Sequence, residues 1–168
     1  MKISYLLKMA IFLTSLTSLT SANAIAQICE NPSLKSTPVL AQGRVMPLYT
    51  HARHFRQTVL NKKDCCDIND VELYCRLSIY FQSLQEKKCQ PELMAEHVQL
   101  RKLLSLDKKG LTILPEKAKD QKFVLENEYR RLEAANELET GYGVAVEKLL
   151  STLDQYEQVK SGLDWKYL

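Results

Sequence analysis

The feature that limits this chain most is a seam of apolar residues in its last third. Leu125, Tyr129, Leu132, Ala135, Leu138, Tyr142, Val146, Leu149, Leu153 and Tyr156 follow one another at steps of three or four. Such steps place side chains on one face of an α-helix. Sustained from Lys122 to about Lys160, the seam predicts a long helix of about ten turns at 3.6 residues per turn. Gly141 and Gly143 fall in its middle. Each costs about 1 kcal/mol relative to Ala in a helix interior, so a bend or a break is expected there. Because the seam stays in phase through the glycines, a single kinked helix is the favoured reading.

Shorter stripes precede it. Pro47 is tolerated in a first helical turn and is expected to open a helix whose inner face is Leu48, Ala52, Phe55 and Val59. A second helix starts after Asn69, with Glu72 three positions on as in a capping box, and carries Leu73, Leu77, Tyr80 and Leu84. Pro91 is expected to open a third, through Leu104, with Leu93, Leu100 and Leu104 inward. Residues 111–114 are too short to classify, and Pro115 stops them. The expected fold is mainly α: a single domain of four to five helices with a long C-terminal one. Residues 25–43, rich in breakers such as Pro32, Ser33, Pro38 and Gly43, are read as an irregular segment ahead of a helical domain at 44–168.

Residues 1–24 read as a leader and not as fold. Lys2 and Lys8 precede an apolar stretch diluted by Ser and Thr, and Ala22-Asn23-Ala24 offers small residues where a signal peptidase cuts. Cleavage is expected after Ala24, with Ala26 as a second site. The residue before Cys29 is Ile28, not the small residue that lipidation needs. No later stretch approaches the roughly 20 apolar residues of a membrane span. The expected location is therefore the periplasm. Losing Lys2 and Lys8 takes the net charge from +3 to +1, which is no nucleic-acid footprint.

An oxidising compartment makes Cys29, Cys65, Cys66, Cys75 and Cys89 disulfide candidates, and the odd count leaves one over. Cys65 or Cys66 is expected to be out of reach of Cys89 across a straight second helix about 27 Å long. Either lies within reach of Cys75, and Cys29 within reach of almost any. His51 and His54, three apart, share a helix face and are candidates for haem or a metal, although no third ligand is evident and no metal site is assigned. There is no Gly-x-Ser-x-Gly elbow, phosphate-cradling loop or His-Glu-x-x-His. A binding role is expected rather than an enzymatic one.

The stretch Gln42-Gly43-Arg44-Val45-Met46-Pro47-Leu48-Tyr49-Thr50-His51-Ala52-Arg53 resembles a periplasmic region of the integral-membrane cytochrome c-type biogenesis proteins of system II. Gly43, Arg44, Pro47, Leu48, Thr50, Ala52 and Arg53 match that family's pattern, and Tyr49 stands where it has Asp. The family's membrane helices and Trp-rich segment have no counterpart; Trp165 is the one tryptophan. The resemblance implies an accessory, non-enzymatic role in cytochrome c maturation. The implied partners are a membrane-bound maturation component or an apocytochrome. Arg44, Tyr49, His51, Arg53 and His54 are the expected contact residues, with no resident cofactor, haem being the alternative. Self-association through the C-terminal seam is the structural rival, and the sequence leaves the oligomeric state open.

Overall fold

The computed structural model describes residues 27–41, 43–60, 68–79, 81–82, 84, 89–107 and 110–162. Its N-terminal part has more form than its breakers suggest. Pro32–Ser36 is a 3-10 turn capped by the Asn31 side chain, which accepts from the Ser33 amide at 2.9 Å. Strand β1 (Pro38–Ala41) then pairs antiparallel with β2 (Arg44–Pro47). Gly43 supplies the positive φ of 73° that their tight turn requires.

Helix α1 (Leu48–Thr58) starts directly after Pro47 and buries the anticipated stripe, Leu48, Ala52, Phe55 and Val59. Helix α2 (Asp70–Ile79) is capped by Asn69, whose side chain accepts from the Glu72 amide at 3.0 Å. Its burial is not a stripe. Val71 through Leu77 are all buried, because α1 packs on one side and the C-terminal helix on the other. The continuation expected toward Glu86, including Tyr80, falls largely outside the described residues; Leu84 is buried.

The helix expected from Pro91 is shorter than its leucines imply. Leu93–Met94 forms β3, paired antiparallel with β4 (Thr112–Ile113), and α3 spans only Val98–Leu103. Leu93, Leu100 and Leu104 are nevertheless buried, since a strand can aim one residue inward as well as a helix can. Pro115 opens α4 (Pro115–Asp120), taking the first helical position where its missing N–H costs nothing.

The long seam divides into α5 (Lys122–Ala134) and α6 (Gly141–Lys160), which pack side by side as a helical hairpin. Asn136 adopts a left-handed φ of 56°. The Glu137 amide donates to the Leu132 carbonyl at 2.8 Å and the Asn136 amide to Glu133 at 3.0 Å, the pattern that closes a helix C-terminus. Thr140 caps α6, accepting from the Gly143 amide at 3.1 Å. The 20-residue α6 is the spine: α2, α3, α4, α5 and β3 all pack on it, around Val146, Leu149, Leu153, Tyr156 and Val159. The fold is mainly α with a long C-terminal helix, as expected, but that helix is half the length of the seam. No helix among the described residues is long and apolar enough to cross a membrane.

Candidate interaction face and cleft

The motif residues around Gly43 divide into two groups. Leu48 and Ala52 are core, 1% and 0% exposed, and hold α1 against the body. Gly43 makes the hairpin turn, and Pro47 sets the entry to the helix. Arg44, Tyr49, Thr50, Arg53 and His54 point to solvent. The Arg53 guanidinium donates to the Tyr49 hydroxyl at a long 3.4 Å, one helical turn away.

The hairpin adds apolar surface to these charges. Alternation along paired strands puts Val39 and Ala41, both buried, on one face. The opposite face carries Pro38, Leu40, Val45 and Pro47, all exposed, with Val45 at 73%. Register puts Arg44, paired with Ala41, on the face opposite this strip of four apolar side chains, while Tyr49 and Arg53 are exposed on the helix that follows.

His51 and His54 have different surroundings. The His51 Nε2 lies 3.1 Å from the Tyr74 hydroxyl, with the rings edge-on at 5.1 Å, while His54 is exposed. Among the described residues no group of three His, Cys, Asp or Glu side chains is arranged to hold a metal.

Cys29 and Cys75 form a disulfide, with Cα atoms 5.5 Å apart. This selects the flexible-segment partner among the alternatives for Cys75. Cys65 and Cys66 lie outside the described residues, and Cys89 is buried. Beside the disulfide, Arg76 reinforces the same junction. Its guanidinium, 3% exposed, donates to Glu72 and to Glu30, each at 2.8 Å. The N-terminal segment is therefore tied to α2 covalently and ionically.

A second feature was not evident from sequence. Between the β3–α3 turn and the start of α6 lies a cleft of about 330 Å3 that includes His97 and Lys148. The His97 ring stacks at a tilt on Tyr142, 5.3 Å between centroids. Behind it, Arg131 clasps Glu128 with two hydrogen bonds of 3.0 and 2.9 Å. The Arg131 guanidinium holds the Glu128 carboxyl below the usual carboxylate range. Burial, followed by the neighbouring Glu128 carboxylate, pushes the Tyr142 phenol up to about 12. The sequence signal for this cluster was slight, a histidine and a tyrosine 45 positions apart.

Comparison with family models, with curated proteins and with solved structures finds no match. The geometry of this chain is therefore what carries its functional reading.

Proposed function

We propose that this protein is an exported, non-enzymatic binding protein that assists cytochrome c maturation. It docks an extended segment of a membrane-bound maturation component or of an apocytochrome on the β1–β2 hairpin and the outer side of α1. The observation that carries this reading is the exposed strip Pro38, Leu40, Val45 and Pro47 on a hairpin that leads into α1, with exposed Arg44 on the hairpin and exposed Tyr49 and Arg53 on α1. Exposed apolar residues together with Arg and Tyr have the composition of binding hot spots. Two strands alone also leave backbone edges on which an incoming chain adds as a third. The arginines favour an acidic partner segment. The resemblance of residues 42–53 supplies the biological setting.

The test is capture from periplasmic and detergent extracts of cells making c-type cytochromes, with the purified protein as bait. Retention of a maturation component or apocytochrome is expected, reduced at least about tenfold by Arg44→Ala with Arg53→Ala or by Val45→Asp. Recovery of neither, or variants that capture as well as the parent while keeping its circular dichroism, removes the reading.

Haem or metal capture by His51 and His54 is the weaker alternative, since it requires His51 to leave Tyr74. Self-association loses its original motive. The seam residues Leu125, Leu132, Val146, Leu149, Leu153 and Tyr156 are consumed inside one protomer.

A further inference from the structure

The cleft beside α6 takes no part in the docking face, and its lining is chemically divided. Met94, Leu100, Val144 and Ala145 form an apolar wall, while Lys148 and Glu96 stand exposed with opposite charges. Neither makes an ion pair among the described residues. Its volume of about 330 Å3 lies at the small end of small-molecule sites.

His97 supplies directionality. Its Nδ1 is wholly enclosed and has no hydrogen-bond partner. A proton there would be a donor shut away from any acceptor, an expensive arrangement. The tautomer protonated on Nε2 is the one that leaves no buried donor unpaired. That atom faces the Gly141 wall, 4.0 Å from where a Cβ on Gly141 would stand. The absence of a side chain at Gly141 keeps this donor approachable from the cleft.

We propose that the cleft binds an aliphatic α-amino acid. The Nε2–H of His97 and the ammonium of Lys148 are both donors, and they suit a carboxylate. Glu96 would repel a simple anion but suits the α-ammonium of a zwitterion. The aliphatic side chain lies on Met94, Leu100 and Val144, where it leaves water. This assignment does not depend on the docking face or on any partner.

The experiment follows methyl and imidazole resonances of the full chain by 1H–13C NMR while leucine, leucinamide or 4-methylpentanoate is added. Leucine is expected to shift the Met94 and Val144 methyls and the His97 ring saturably, with a Kd on the order of 1 mM or tighter. Leucinamide, lacking the carboxylate, and 4-methylpentanoate, lacking the ammonium, each bind at least about fivefold more weakly. His97→Phe keeps a ring against Tyr142 but loses the donor. It and Lys148→Gln weaken leucine by about fivefold or more, with the fold unchanged in the amide spectrum. The proposal is overturned by no saturable shift at about twentyfold the expected Kd. It also falls if 4-methylpentanoate equals leucine, or if His97→Phe binds as the parent does.

Discussion

Tyr142 is a side chain whose chemistry departs far from its free behaviour. Its phenol is raised to about 12 by burial first and by Glu128 second, against about 10 in an unfolded chain. Between those values the folded state keeps a proton that the unfolded state has lost. Stability therefore falls as pH rises from about 10 toward 12. Glu128 has the opposite sign: held below its ordinary range, it contributes above the unfolded carboxylate value and loses that contribution as pH falls through its folded one. A titration of phenolate absorbance should contain a step near 12 that disappears in Tyr142→Phe. In Glu128→Gln the step moves down but stays above 10, since burial is the larger cause. A wild-type titration with every tyrosine complete near 10 contradicts the assignment. Arg76 illustrates a different residue-scale effect. Its burial would be costly alone, and Glu72 and Glu30 together offset it. Glu72 is one helical turn away and was legible in principle, whereas Glu30, 46 positions earlier, was not.

At the scale of elements, Gly141 and Gly143 look alike in sequence but behave differently. A Cβ on Gly143 would overlap the Glu137 and Leu138 carbonyl oxygens, where the α5–α6 connection crosses the first turn of α6. A Cβ on Gly141 meets nothing nearer than His97 at 4.0 Å. Gly143→Ala is therefore expected to destabilise by about 1–3 kcal/mol despite better helix propensity. Gly141→Ala is expected to stabilise by up to about 1 kcal/mol. Urea melts of both variants check the opposite signs; a stabilised Gly143→Ala would mean that the crossing is not tight. The same connection explains what periodicity missed. Both helices bury the same stripe, so the pattern runs in phase through a reversal of direction. Ala135 is the seam residue left exposed, and Asn136, tolerant of left-handed backbone, was the weak signal of the break. The start of α1 and the Asn69 cap were legible because each rests on one local bond or turn. Strands β3 and β4 were not, because two residues cannot establish an alternation and their pairing joins residues about twenty positions apart. The residues proposed for docking were singled out by sequence, but the apolar strip on the hairpin depends on register, and the His97 cleft depends on how α3 and α6 meet.

Across the whole molecule, the disulfide and Arg76 fasten the N-terminal segment to the most enclosed helix. Cys29 and Cys75 close a loop with a sequence separation of 46. Chain-entropy arguments assign such a closure about 4 kcal/mol, and measured bridges commonly give about 2–4 kcal/mol. Replacing both by Ala should lower stability by about that amount and reduce Tm clearly at fixed pH. An unchanged Tm would show that ionic and apolar packing alone hold the segment. Helix α6, on which five other elements pack, should meanwhile remain the last to exchange its amide protons.

The bridge has a topological corollary for proteolysis. The hairpin and α1 lie wholly between its two cysteines. One cut anywhere from Glu30 to Tyr74 yields two polypeptides that still migrate as a single species, and only a reductant releases them from each other.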